Sequence, residues 1–368
     1  MEFRDFIEQL SKHINKDLPF VAYQKPNQSI VKGFLQNDEK LYVVNDFSES
    51  GFVFAPFDNK KQTILLPFNV CQSIECEFHS SGMPNKTKKS FVSNDEEQHV
   101  NLVKKGIKAI TLGTFQKVVL SRKETINLGL SSVFQLFVNM LNSYPTAFVY
   151  CWFHPKVGLW LGATPETLLK IENSRLFTMA LAGTQEYKGS MDVSWGEKER
   201  EEQQIVTNFI VEQLKPLAEN IELSEVRTVK AGNLLHLQTQ ISSAFKGNLK
   251  PIIEALHPTP AVCGLPKENA KAFILNNENY KRTFYAGFLG ELNLKVTKIR
   301  NRNKRNVENN AYSSIRNQTD LYVNLRCMEV VNDTANIFVG GGITKDSDPK
   351  AEWLETVAKS STMKKVLQ

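Results

Sequence analysis

Apolar residues recur at helical spacing over residues 2–15, predicting a short amphipathic helix. Five short runs follow: "FVAYQK" (20–25), "SIVKGFL" (29–35), "KLYVVN" (40–45), "GFVFAPF" (51–57) and "TILLPF" (63–68). They are rich in aromatic and β-branched residues and are separated by Asn, Asp, Gly and Ser, so each predicts a strand. Residues 79–98 are polar and carry turn formers, predicting a connector. Helical periodicity resumes at "EEQHVNLVKKGIKAITLG" (96–113). Beyond it the pattern predicts strands over 117–126, 147–153, 157–163, 237–245, 321–331 and 336–342. It predicts helices over 132–142, 197–218, 267–277 and 350–366. Strands and helices do not alternate as regular βαβ units. The expected class is therefore α+β, with large antiparallel sheets forming a layered core flanked by helices. Residues 297–320, rich in Asn, Lys and Arg, predict a surface loop.

Composition narrows this picture only a little. The 368 residues are 41% hydrophobic and 23% charged, ordinary values for a globular protein that needs no staples. The formal charge of +6 arises largely from two runs, "NKTKKS" (85–90) and "KIRNRNKR" (298–305). Such a surface suits nucleic acid or an anionic metabolite equally. The N-terminal residues are charged throughout, and no stretch reaches membrane-spanning length. The five cysteines form no Cys-x-x-Cys pair, which fits a reducing compartment. A cytoplasmic protein is expected. Cys71, Cys76 and His79 lack a fourth ligand at zinc spacing.

The helix predicted from 197 opens "EKEREEQQ", with four glutamates in its first six positions. On a wheel of 100° per residue, Ile205, Val206, Phe209, Ile210 and Leu214 form its apolar face. Glu199 and Glu202 fall near the middle of that face, whereas Glu197 and Glu201 fall at or beyond its edge. A carboxylate on a buried stripe is costly unless a cation or donors meet it. The bland alternative is a set of first-turn acids favoured by the helix dipole. In the last helix, "KAEWLETVAKSSTM", Glu352, Glu355 and Lys359 share a narrow arc. An i,i+4 pair such as Glu355–Lys359 contributes only ~0.3–0.5 kcal/mol on its own. Two Glu-x-x-Glu pairs on separate helices nevertheless match the oxygen-only donor set that a hard divalent cation such as Mg²⁺ takes. No histidine partners either pair, which argues against zinc.

Other features are weak individually. "VGGGIT" (339–344) follows a strand and reads either as an anion-binding turn or as an ordinary tight turn. Lys117 opens a strand and is either an edge lysine or a base. Glu166 follows a proline in "GATPETLL". Arg326 sits in the apolar run "YVNLRCM" and needs an anionic partner, while His236 reads first as a structural histidine.

Together these pieces resemble the chorismate-utilising enzymes and, within them, the isochorismate synthase branch. The resemblance is carried by "FQKVVLSR" (115–122), "GATPETLL" (162–169), "ALAGT" (180–184), "EKEREEQQIV" (197–206) and "LLHLQTQI" (234–241). It continues through "HPTPAVCGLP" (257–266), "FYAGFLGEL" (284–292), "LYVNLRCM" (321–328) and "GGGITKDSDPKAEWLETVAKSSTM" (340–363). It implies a catalytic, chorismate-binding region over 96–368, with residues 1–95 a variable, β-rich part of the same globular unit. It also implies that water attacks C2 of chorismate while the C4 hydroxyl departs, and that the product feeds menaquinone or siderophore synthesis. By the same resemblance Lys117 is the base, which must be neutral to act, and Glu166 is the acid. Glu202 and Glu355 hold Mg²⁺, with Glu199 and Glu352 supporting through waters. Arg326 and Tyr285 take the enolpyruvyl carboxylate, and Lys359 helps with the ring carboxylate. Backbone amides of Gly183, Thr184, Gly341 and Gly342 add anion contacts, His236 borders the ring, and Ala261 and Val262 belong to the substrate site. Gln203 stands where relatives often have His, and Glu199 where some have Asp.

The nearest rival is a salicylate synthase, which goes on to eliminate pyruvate. Ala261 stands where the lyase pattern favours threonine, so isomerisation alone is expected. Anthranilate synthases, which use ammonia, are disfavoured by Lys117, where they carry Gln; aminodeoxychorismate synthases share the lysine chemistry but work with a glutaminase, and no glutaminase subunit is expected. A basic nucleic-acid-binding module is the reading from another class, and it leaves the inward glutamates unexplained. A monomer or weak homodimer acting on a small molecule, with neither nucleic acid nor membrane as partner, is the expected state.

Overall fold

The computed structural model describes residues 1–80, 95–129, 132–232, 234–298 and 314–367. Among these, two large antiparallel sheets face each other. The first is nine-stranded, in the order Gly264–Leu265, Lys117–Asn127, Thr334–Ile343, Cys327–Val331, Gly158–Thr164, Phe148–His154, Phe20–Gln24, Ile30–Gln36 and Cys71–Glu77. The second is ten-stranded. Its main path runs Glu219–Leu223, Leu234–Ala244, Arg175–Glu186, Thr167–Glu172, Ser314–Val323, Phe288–Lys298, Gly51–Ala55, Ile64–Pro67 and Tyr42–Val43, with Arg227–Ala231 also paired to Leu234–Ala244. The α+β class and the layered antiparallel core are those the sequence predicts.

Strand alternation explains the layers. Val21 and Tyr23 join Phe148, Tyr150 and Trp152 in the core that also contains Phe52, Phe54 and Tyr322 of the second sheet. The intervening Phe20, Ala22, Val149 and Cys151 face the opposite way, into a second cluster with Phe6 and Leu10 of the helix Phe3–Ile14 and Phe137 and Met140 of the helix Val133–Ser143. The first 80 residues thus continue both sheets. Phe20–Gln24 pairs with Phe148–His154, and Gly51–Ala55 pairs with Phe288–Lys298. A buried ionic cluster ties the two layers together there. Lys25 Nζ lies 2.7 Å from both Glu291 and Asp320, and Tyr23 donates its hydroxyl to Glu291.

Three differences from the sequence reading bear on the site. The predicted strand 321–331 is two strands, Ser314–Val323 and Cys327–Val331, in different sheets. The chain crosses between layers at 324–326, where Arg326 adopts a left-handed φ of 49°. The glycine run 340–342 lies in the strand Thr334–Ile343, in line with the strand predicted over 336–342 and against the turn reading of 339–344, with Gly341 opposite Leu120 and Gly342 opposite Val119. Finally, 314–320 and 297–298 are strand, so the predicted loop is shorter than 297–320. Its centre lies outside the described residues, as does most of the connector 79–98.

Candidate active site

A cleft between the layers is lined by Glu166, Gly183, Thr184, Glu202, His236, Ala261, Val262, Tyr285, Arg326, Gly342 and Lys359. Eleven of the sixteen residues singled out from sequence therefore share one cavity. Val119, Pro165, Leu181, Ala182, Leu325, Phe338, Val339 and Gly340 complete the wall. Their chemistry is plain, so nothing in the sequence marks them, although most flank the motifs.

The helix Glu197–Leu214 and the helix Pro349–Lys364 bring three carboxylates toward the glycine strand. A Cβ at Gly342 would fall 2.3 Å from Glu202 Oε1, and one at Gly341 would fall 3.4 Å from Glu352 Oε2 and 3.6 Å from Glu355 Oε1. At Gly342 any side chain would displace the Glu202 carboxylate, whereas at Gly341 a Cβ would make only ordinary contact with Glu352 and Glu355. Each carboxylate meets a lysine. Lys117 lies 2.8 Å from Glu202, Lys359 2.6 Å from Glu355 and Lys198 2.7 Å from Glu352. Lys117 is fully buried, consistent with its place on the inner strand Lys117–Asn127 rather than at an exposed edge. Burial pushes the Glu202 carboxyl up, but Lys117, Lys359 and Lys198 outweigh it and leave it below its ordinary value. Glu352 is raised by burial and by Glu355, against Lys198. Ser347 also bonds to this carboxylate, and among the described residues Oε2 has no partner of good hydrogen-bond geometry.

Glu199 differs from the other three. Its Oε2 turns back toward the helix start, 2.6 Å from where a Gly196 Cβ would stand, while its Cβ packs 3.1 Å from the corresponding position at Gly183. Glu197 and Glu201 are exposed, as the wheel predicts. Gln203 is buried and donates to Thr207 and Thr239, so it packs the helix onto the second sheet. Among the described residues no three His, Cys, Asp or Glu side chains converge at metal-binding distance. The donors nevertheless fit a hard divalent cation in kind, being all carboxylate, with one buried oxygen that has no well-aligned partner among the described residues.

Across the cleft, Glu166 is buried at the corner between Gly158–Thr164 and Thr167–Glu172. Burial raises its carboxyl to about 8, with Lys117 and Arg326 only partly opposing. It is therefore protonated at neutral pH. Among the described residues Arg326 finds no carboxylate partner. Its Nη2 lies 3.1 Å from His236 Nε2 and its Nη1 3.4 Å from Thr362 Oγ1. Burial and then Arg326 hold His236 down at about 3, so its ring is neutral. Nε2 must accept from the guanidinium, and Nδ1 donates to the Gly183 carbonyl at 2.8 Å. That carbonyl sits in a bulge, where the register of Arg175–Glu186 against Leu234–Ala244 breaks between Ala182 and Gln185.

The opposite wall is held by Arg282, which sequence reasoning missed because its i,i+4 pair with Glu278 reads as ordinary and its carbonyl partners lie elsewhere in the chain. It donates to the carbonyls of Val262 and Val119 and pairs with Glu278, which accepts from the Ser121 amide. Ala261 and Val262 are thereby fixed against the strand that carries Lys117. Tyr285 stacks on Phe338, with its hydroxyl beside Gly340.

Two family models, both described as chorismate binding enzyme, match residues 57–297 and 311–365. The salicylate biosynthesis isochorismate synthase of Pseudomonas aeruginosa is 30% identical over 276 residues, covering 72% of this chain and 53% of that protein. The isochorismate synthase MenF of Pasteurella multocida is 27% identical over 289 residues, covering 74% of this chain and 62% of its own. The chain thus matches between half and two thirds of the length of these relatives. In fold it resembles DhbC of Bacillus anthracis, with a TM-score of 0.76 at 22% identity over 97% of this chain and 99% of that one. With one family model spanning most of its length, the chain belongs to the chorismate-binding enzyme family.

Proposed function

We propose that this chain converts chorismate to isochorismate with Mg²⁺ as cofactor. The observation that carries the reading is Glu166, a buried carboxyl held protonated at neutral pH on the wall of a cleft that also presents the Arg326 guanidinium. A protonated acid suits the departure of the C4 hydroxyl, and a guanidinium that meets no carboxylate among the described residues suits an anionic group of the substrate. Arg326 would take the enolpyruvyl carboxylate together with the Tyr285 hydroxyl. His236 would border the ring and keep the guanidinium aimed. The bulge amides at Gly183 and Thr184 would add donors. The strand at Gly341 and Gly342 would serve mainly by letting the Glu202 carboxylate approach at Gly342.

Glu202 and Glu355 would hold Mg²⁺, with Glu352 and Glu199 supporting through waters. When bound, the ion would neutralise the ring carboxylate. Lys117 would take a proton from the water that attacks C2. An ammonium paired with Glu202 cannot do this, so Glu202 must find another partner before Lys117 can act as a base. Ala261 offers no hydroxyl to the substrate, in keeping with a reaction that stops at isochorismate. The product would enter menaquinone or siderophore synthesis, and the relatives' names include a salicylate-pathway enzyme and MenF. Chromatography of the products from chorismate, with Mg²⁺ and with chelator, tests the proposal. Metal-dependent isochorismate supports it, and salicylate as the major product would replace it with the synthase reading.

A further inference from the structure

We propose that Lys198 is an intramolecular competitor for the divalent cation, holding Glu352 in the cation's absence and swinging into solvent when the cation binds. The inference rests on the carboxylate metal reading above. Three carboxylates, Glu202, Glu352 and Glu355, are balanced by three ammonium groups, Lys117, Lys198 and Lys359. Glu199, the fourth carboxylate of that reading, adds one negative charge, so a divalent ion entering the set leaves a surplus of one positive charge at close range. The surplus is relieved most cheaply by whichever lysine can regain water.

The three lysines differ sharply in that respect. The Lys117 side chain is 0% exposed, and that of Lys359 is 17% exposed with a second bond to the Gly340 carbonyl. The Lys198 side chain is 37% exposed, and among the described residues Glu352 is its polar partner. A long side chain rooted at the first helical turn reaches solvent by rotating about its own bonds. Glu352 cannot follow, because its side chain is only 2% exposed. Releasing Lys198 therefore leaves Glu352, whose Oε2 has no well-aligned partner among the described residues, facing the Glu355 carboxylate. Glu355 keeps Lys359, so the buried Glu352 is the carboxylate left without a counter-charge, and a hard divalent ion would supply it.

The competing view is that Lys198 orients Glu352 and so assists metal binding, and the two views predict opposite signs. The test is Mn²⁺ binding to the substrate-free full chain, followed by paramagnetic resonance and displaced by Mg²⁺. Lys198→Met should bind Mn²⁺ about tenfold more tightly than the parent, the effect of deleting one nearby unit charge. Lys198→Arg, which keeps the charge, should bind like the parent. Thermal melts of both variants check that they are folded. Unchanged or weaker binding by a folded Lys198→Met overturns the proposal. Glu355→Gln separates this failure from failure of the metal reading. If it leaves Mn²⁺ binding intact, the carboxylate site itself is wrong, and the role of Lys198 falls with it.

Discussion

Lys117 Nζ and Glu202 Oε1 lie 2.8 Å apart, joining the start of an inner strand to the helix that carries two of the inward glutamates. One carboxylate thus faces both the candidate base and the candidate metal. Glu202→Gln should lower turnover at least about a hundredfold, as removal of a single transition-state stabiliser does elsewhere. It should also abolish the response to Mg²⁺ while leaving the circular dichroism spectrum unchanged. Turnover near that of the parent would remove Glu202 from the chemistry.

Glu166 gives a pH signature. Its carboxyl is raised to about 8, so the acid form is lost as pH rises through that value and turnover should fall there. Stability should follow the same group. Between its ordinary value of 4.5 and 8, the folded chain holds a proton that the unfolded chain has lost. Its contribution to stability therefore declines as pH rises across this window. Glu166→Gln should abolish turnover, and it should raise the melting temperature more at pH 8 than at pH 5. A melting shift independent of pH would contradict the assignment.

His236 is neutral and accepts from Arg326, so it should contribute no limb to the pH profile between 5 and 9. On the proposed reading it aims the guanidinium. Replacing it with Phe should raise KM roughly tenfold, the scale of one hydrogen bond to a charged group, with a smaller effect on kcat. Steady-state kinetics at fixed Mg²⁺ separate the two constants, and an unchanged KM would contradict the positioning role.

The buried cluster of Lys25, Glu291 and Asp320 predicts a stability effect remote from the cleft. Lys25→Met leaves two carboxylates without their shared cation, a loss of about 3–5 kcal/mol for buried pairs. Denaturant unfolding should register this change, with the activity of the folded fraction largely preserved.

Much of the site was legible because its residues break local rules. Glu202 interrupts an apolar stripe, and Glu352 and Glu355 repeat that spacing on a second helix. The strand pattern likewise gave away its layers through alternation. Lys198 was not legible, because its partner Glu352 lies 154 residues away and an exposed-looking lysine in a charged run carries no local anomaly. The break at Asn324–Arg326 was hidden because apolar residues continue on both sides, although the chain changes sheets there. The turn reading of 339–344 failed because what crowds its glycines comes from elsewhere in the chain, the Glu202 carboxylate at Gly342 and the Leu120 carbonyl at Gly340.

The central claim is that water attacks chorismate between Lys117 and Glu166. The most direct test is to incubate the chain with chorismate and Mg²⁺ in ¹⁸O-labelled water and measure the mass of the product. We predict isochorismate carrying one heavy oxygen at C2, formed by the parent and absent with Lys117→Ala. Unlabelled product, or labelled product at parental rate from Lys117→Ala, would contradict the account.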